Sequence, residues 1–451
     1  YNAVLSRILT PEDFGIVAVT SVFVTFFMLF ANMGLGTAII QNKTLCDEEI
    51  NDIFSFTVYL AIALAIIFQL FSIPLSIFYE NRIYIKIGIL LSIALFFNTL
   101  NMIPNAILRK NKKFLTIAIR LIVVTIISGV LTIIFAYMGM RYYSIVLHSI
   151  FMAIFTFIWN YKSTNLKFKY VFNKSSILKV TEFSMFQFGF NLINYFSRNL
   201  DSLFIGKYLG NISLAYYDKS YKLMLYPVNN LTNIITPVLH PILSEYQDDK
   251  RYIFNQYIKI VKILSLLGAF ISPFCFFTAK EIILILYGEQ WSSAVLSFQI
   301  LALCIWVQMI SSSSGSIFQS LGNTKLLFIN GIITSSITVS AIMVGIFFKD
   351  INKVAFCVAL AYNLHFFITY YVLIRHGFQY KLIIFMKNLI PDVIIFLINF
   401  IGLFFISQIK IENVLVSLLF KTILGSGVYI LSLLITKQYN YFLPLIKNLR
   451  H

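Results

Sequence analysis

FGIVAVTSVFVTFFMLFANMGLGTAIIQN, residues Phe14–Asn42, runs for 29 residues without one Asp, Glu, Lys or Arg. A helix of about 20 apolar residues crosses the hydrocarbon core of a bilayer, so this stretch is long enough to span and too apolar for water. The same reading repeats along the chain. Ile53–Tyr79, Ile87–Leu108, Leu121–Met140 and Tyr142–Tyr161 are equally free of those four residues. After a basic stretch from Lys162 to Lys179 comes Phe183–Gly206, interrupted by Arg198 and Asp201. Leu223–Ser244, Ile263–Ala279, Gln290–Thr324, Leu326–Phe348, Val354–Ile374, Val393–Ile409 and Asn413–Thr436 follow, the last interrupted by Lys421. Thirteen spans are visible, and the chain reads as an all-α polytopic membrane protein.

Composition agrees. The 451 residues are 59% hydrophobic and 12% charged, with a mean hydropathy of +0.84, whereas soluble domains carry about 25% charged residues. Cys46, Cys275, Cys304 and Cys357 lie far apart, three of them in apolar segments, which excludes a disulfide scaffold, a redox pair and a zinc cluster. The net charge of +17 reads as loops facing anionic headgroups rather than as nucleic-acid binding.

Tyr1–Ser6 reads as the tail of a first helix largely missing from this chain. Restoring it gives fourteen spans and both termini on one side. With that side cytoplasmic, 21 Lys and Arg fall in cytoplasmic loops and tail against 11 opposite, which fits the excess of basic residues on the inner face. The expectation is a multi-pass membrane protein with both termini cytoplasmic. No connection exceeds about 20 residues, too short for a separate soluble domain, so the function lies among the helices. The expected lobes are 1–180, from the end of the first span through the sixth plus a linker, and 181–451, the seventh to fourteenth. At an offset of 200, Arg7, Leu9, Phe14 and Gly15 align with Lys207, Leu209, Leu214 and Ala215. A true duplication would relate similarly oriented halves about an axis along the membrane normal, as in transporters.

Polar groups inside spans mark cavities or mutual pairing. In the seventh span Gln187, Asn191, Asn194, Arg198 and Asp201 recur at +4, +3, +4 and +3 and share one helical face. That face reads as the wall of a wet, mixed-charge cleft, or as an i, i+3 ion pair with amides joining helices. Asn229, Asn233, Thr236 and His240 repeat the spacing in the eighth span, and the fourth carries Asn98, Asn101 and Asn105. Such stripes suit a polyhydroxylated solute. Arg120 and Lys421 sit near span ends, where snorkelling is the default, so Lys421→Leu is expected to do little. No enzyme centre, metal spacing or nucleotide-binding loop is present, and the chain is read as a non-enzyme without a cofactor. Any energy coupling then comes from the substrate's gradient or an ion gradient of H+ or Na+.

The same segments carry a resemblance. SRILTPEDFGIVAV (Ser6–Val19), NMGLGTAIIQ (Asn32–Gln41), NLDSLFIGKYLGNISLAYYDKSYKLMLYPVNNL (Asn199–Leu231), YGEQW (Tyr287–Trp291) and QSLGNTK (Gln319–Lys325) resemble, in order, the motifs of Wzx-type oligosaccharide flippases. These form the polysaccharide export branch of the multidrug, oligosaccharidyl-lipid and polysaccharide exporter superfamily. The resemblance implies a V-shaped bundle of fourteen helices in two lobes. It also implies transfer of undecaprenyl-diphosphate-linked oligosaccharide to the outer leaflet, for cell-surface polysaccharides such as lipopolysaccharide. Such a substrate needs cations for its phosphates and amides for its sugars. Arg198 is then the leading diphosphate contact, with Arg7 and Lys207 secondary. Asp201 would hold Arg198 or take a proton or sodium ion, and Asn191, Asn194, Gln187, Asn229 and Asn233 would line the path. Arg198→Ala is expected to abolish flipping while leaving insertion intact; normal polymer export in that variant would remove the residue from the mechanism. Partners would be the lipid-linked oligosaccharide, membrane lipids, and the polymerase and glycosyltransferases of the pathway, with the chain acting as a monomer. Competing readings are an ion-coupled multidrug or metabolite antiporter, which needs a carboxylate-rich cavity, and a membrane polymerase, which needs a sizeable outside loop.

Overall fold

Thr10–Asp13, the TPED of the first motif, starts a helix by reciprocal capping. In the computed structural model Asp13 Oδ2 accepts from the Thr10 N–H (3.0 Å) and hydroxyl (2.8 Å), and Thr10 Oγ1 accepts from the Asp13 N–H (3.3 Å). Pro11 occupies the first helical position, where no N–H partner is needed. The structure describes all residues except 1, 33–34, 37–38, 40–44, 174, 178–191, 193–194, 196–198, 245, 247–248 and 442–451. It leaves out the side chains of 32, 231–242, 244 and 324 as well.

The described helices are α1 (Asn2–Ile8), α2 (Pro11–Asn32), α3 (Asp47–Phe78), α4 (Ile83–Leu100), α5 (Met102–Lys110), α6 (Phe114–Tyr137), α7 (Tyr142–Lys162) and α8 (Gly210–Ser244), with helical residues 199–208 before α8. Then come α9 (Lys250–Phe277), α10 (Ala279–Tyr287), α11 (Ala294–Ala302), α12 (Ile305–Ser311), α13 (Ser314–Ser320), α14 (Thr324–Phe347), α15 (Ile351–Tyr371), α16 (Leu382–Ser407) and α17 (Val414–Ile435). Among the described residues ten helices are long and apolar enough to cross a membrane. An eleventh span is the pair Ala294–Ala302 and Ile305–Ser320, bent by 50°. The Gln290–Thr324 run is therefore a broken span. Its second interruption falls at Ser311–Ser314, where the hydroxyls of Ser312, Ser313 and Ser314 donate to the carbonyls of Met309, Ile310 and Ser311 (2.7, 3.3 and 2.7 Å), the back-bonding that bends helices. α8 stands where the eighth span was expected, and most of the seventh lies outside the described residues.

The chain divides into two compact units, Tyr1–Ala215 and Tyr216–His451, a later division than the 180/181 boundary expected from sequence. Residues 199–208 pack with the first unit, where the Tyr79 hydroxyl donates to the Leu203 carbonyl (3.1 Å) and Lys207 pairs with Glu80 (3.0 Å). Large apolar side chains point outward in both units, Leu115 being 75% and Ile423 70% exposed, a surface suited to hydrocarbon. Inside, small hydroxyls return their protons to the helix: Thr57 to Ile53 O and Thr99 to Leu95 O, both at 2.8 Å.

Two of the fourth-span asparagines, Asn101 and Asn105, serve packing. Arg120 Nη1 on α6 donates to Asn160 Oδ1 of α7 (2.7 Å) and Asn105 Oδ1 of α5 (3.3 Å), and Asn160 Nδ2 donates to Asn101 Oδ1 (2.7 Å). Arg120 is buried and does not snorkel, because two amides, those of Asn105 and Asn160, accept from it where lipid would otherwise leave its donors unmet. Asn160→Leu, which strands Arg120 and Asn101 together, is expected to cost about 2–3 kcal/mol, read as a lower melting temperature of the purified protein.

In the second unit Leu266, Ala269, Ile395 and Leu433 form a core with Trp306, Phe396 and Tyr429 against it. α16 and α17 approach closely at Gly402 and Gly425, where an added Cβ would come within 2.7 Å of Val428 and 2.8 Å of Leu403.

Candidate transport site

The first motif closes onto the start of the central one. A Cβ on Gly15 would lie 1.9 Å from the Asn211 carbonyl oxygen, so only glycine lets α2 meet the start of α8. Asn211 is held from the other side by the Tyr84 hydroxyl, which donates to its Oδ1 (2.8 Å). Arg141 Nε lies 3.1 Å from Asp13 Oδ1, tying the capping carboxylate to the α6–α7 turn. The stretches that align at an offset of 200 are thus direct neighbours.

Residues 199–208 run beside α2 and α3. Phe23, Phe71, Leu75, Phe78, Leu203 and Phe204 line an apolar groove of about 410 Å³ there. At its rim Lys207 Nζ sits 5.0 Å from the centroid of the Phe78 ring, donates to the Phe78 carbonyl and pairs with Glu80 Oε1. Lys207 therefore caps the end of α3 while marking one end of the groove with positive charge. Asp201 is buried on the same helical stretch, its Oδ1 accepting from the Ser202 N–H (2.7 Å).

Of the expected cleft residues, Gln187, Asn191, Asn194 and Arg198 lie outside the described residues, as does the Asn233 side chain. Arg7 is exposed at the end of α1, and Asn229 is exposed on α8. Asp201 and Lys207 share one helical stretch beside the groove.

In the second unit the later landmarks turn out to be structural partners. Lys219 of the central motif lies over the rings of Tyr287 (4.6 Å) and Trp291 (5.2 Å), both from YGEQW, and the Ser220 hydroxyl donates to Ala294 O (2.9 Å). Two buried ion pairs were not foreseen. Lys262 of α9, one residue before the expected Ile263–Ala279 span, is buried inside the helix 2.6 Å from Asp392 Oδ1 of α16 and donates to Asn388 O (2.7 Å). Lys421, expected to snorkel, is only 8% exposed. Its Nζ donates to Glu281 Oε1 (2.5 Å) and Phe277 O (3.1 Å), and the Ser417 hydroxyl donates to the same Glu281 oxygen (2.7 Å). α10 brings Glu281 within reach, so pairing displaces snorkelling. Asp392 and Glu281 are each bound to a lysine and do not form a carboxylate-rich cavity together with each other.

A family model described as polysaccharide biosynthesis protein matches residues 4–296. The chain is 22% identical over 457 residues to an uncharacterized membrane protein in the cps region of Klebsiella pneumoniae, covering 96% of this chain and 90% of that one. It is 22% identical over 367 residues to the lipopolysaccharide biosynthesis protein WzxC of Escherichia coli strain K12, covering 76% and 70%. Among solved structures, the lipid II flippase MurJ in its inward closed conformation matches with a TM-score of 0.74 at 17% identity, covering 99% of this chain and 96% of that one. The fold is therefore shared with MurJ. SRILTPEDFG, the segment from Asn199 and YGEQW, which build the contacts described above, all fall within the matched residues, and on that match the chain belongs to the polysaccharide biosynthesis protein family.

Proposed function

We propose that the chain is a flippase that moves undecaprenyl-diphosphate-linked oligosaccharide repeat units from the cytoplasmic to the outer leaflet by alternating access. It does so in the bacterial cytoplasmic membrane with both termini inside. The observation that carries this reading is the apolar groove of the first unit running beside residues 199–208, with the Lys207–Glu80 pair next to its Phe78 wall. A lipid-linked sugar phosphate is a long apolar chain joined to an anion, and this arrangement offers surfaces for both. Family membership in polysaccharide biosynthesis and the fold of a lipid II flippase support it. Arg198 would take the diphosphate and the asparagine stripes the sugars, with Asp201 as the partner of Arg198 or the site of a coupling H+ or Na+. No covalent step is assigned to the chain.

The lysine partners of Asp392 and Glu281 weigh against the antiporter, whose cationic substrate needs uncommitted carboxylates. The test is to delete the gene and find, with an impermeant glycan-binding probe, which leaflet holds the lipid-linked oligosaccharides. Complete repeat units accumulating on the cytoplasmic face, reversed by the wild-type gene, are expected. Unchanged sidedness with altered drug or metabolite sensitivity would overturn the flippase in favour of the antiporter, and single repeat units collecting outside would point to a polymerase.

A further inference from the structure

Two cavities of the first unit meet at Ser163, and neither belongs to the groove beside residues 199–208. The first is a polar chamber of about 440 Å³ between the start of α3, the turn after α5 and the segment after α7, with Lys110, Asn111, Lys113, Thr164, Asn165 and Asp47 in its walls. The second is a groove of about 390 Å³ between α6 and α7. It is lined by Val123, Ile127, Phe155 and Trp159 and closed at the lysine-rich end by Lys162 and Ser163. Both volumes lie within the roughly 300–1,000 Å³ of small-molecule sites.

The chemistry changes sharply at the seam. On one side are ammonium groups and amides, on the other aliphatic and aromatic carbon, and Trp159 and Lys162 sit between them, the residue types that mark a membrane interface. A phospholipid has the same division. We propose that this composite site binds one anionic phospholipid of the phosphatidylglycerol type, its headgroup in the chamber and one acyl chain in the α6–α7 groove.

The wall groups select the headgroup. Lys110 and Lys113 supply cationic donors for the phosphate diester. Ser163 and Thr164 spend their hydroxyl protons on the carbonyls of Trp159 (2.9 Å) and Tyr161 (3.0 Å), so toward the chamber their oxygens act as acceptors, as does the Asp47 carboxylate. Acceptors beside a phosphate subsite suit a headgroup with free hydroxyls. A choline or ethanolamine head would bring a further cation beside Lys110 and Lys113, with Asp47 the one carboxylate among the residues lining the chamber. The proposal does not depend on what the protein transports.

The full-length chain, purified in detergent, tests this by native mass spectrometry with phosphatidylglycerol, phosphatidylethanolamine, glycerol 1-phosphate and undecaprenyl phosphate as separate probes. One tightly held phosphatidylglycerol is expected. The double variant Lys110→Gln/Lys113→Gln should weaken it at least tenfold, and so should Ile127→Trp, which fills the groove from a half-exposed position. Both variants should keep the wild-type melting temperature. Equal retention of phosphatidylethanolamine, or binding indifferent to the lysine changes, would overturn the headgroup assignment. Glycerol 1-phosphate bound as tightly, with no effect of Ile127→Trp, would make this a site for free phosphates and overturn the lipid. Displacement of phosphatidylglycerol by undecaprenyl phosphate at a tenth of its concentration would assign the site to a prenyl lipid instead.

Discussion

Gly15→Ala is expected to leave little folded protein in the membrane. The new Cβ would lie 1.9, 2.5 and 2.9 Å from the carbonyl oxygen, carbonyl carbon and Cα of Asn211. All three are backbone atoms, so no side chain can rotate away, and either α2 or the start of α8 has to move. Alanine gains up to about 1 kcal/mol over glycine as a helix former. Overpacking costs typically about 1–3 kcal/mol and more where backbone must shift. Movement here would also pull Asn211 from the Tyr84 hydroxyl and strain the Lys207–Glu80 pair, so the loss should far exceed the gain. Gly331 on α14 is the control, because nothing lies within 4 Å of its added Cβ, and Gly331→Ala should melt no lower than wild type. Yield of monodisperse protein and melting temperature read both. An unchanged melting temperature for Gly15→Ala would show that α2 and the start of α8 do not meet as described.

Much of the fold was legible because lipid imposes a simple rule, and charge-free runs of sufficient length became helices. The Thr10–Asp13 cap is a local signal, its partners lying within three residues of each other, yet it was not read as a helix start. Gly15 was not. A glycine in a helical stretch reads the same whether it faces lipid or a backbone nearly two hundred positions away, and the alignment of its motif with Lys207–Ala215 suggested a repeat without suggesting a contact. Arg120 and Lys421 were misjudged for a related reason. Each stands a turn or two from a span end, where its stem could reach water, and only packing reveals that Asn105 and Asn160, or Glu281, arrive first. Lys262 stands one residue outside the expected Ile263–Ala279 span because hydropathy counts it against a span, although α9 carries it inside as the partner of Asp392. In the fourth-span stripe Asn101 and Asn105 join helices through Arg120 and Asn160, the pairing that spacing alone does not separate from a wet path.

The Glu281–Lys421 pair turns the expectation for Lys421→Leu from negligible to severe. Glu281 Oε1 takes hydrogen bonds from Lys421 and Ser417, while Oε2 is buried and accepts none among the described residues. Removing the lysine leaves a carboxylate with a single hydroxyl donor in an apolar surround, and breaking a buried pair from one side costs about 3–5 kcal/mol. The Phe277 carbonyl loses its donor as well. Glu281→Leu alone should be comparably damaging, since it strands the ammonium. Combining the two should restore most of the stability, because replacing a whole buried pair with apolar groups is often neutral or stabilising by about 1–4 kcal/mol. A double-mutant cycle of melting temperatures separates this from snorkelling. Snorkelling predicts that Lys421→Leu melts with wild type and that Glu281→Leu adds its own cost unchanged. Pairing predicts that each single variant is worse than the double, and that outcome would tie α10 to α17 through a charge pair rather than through packing alone.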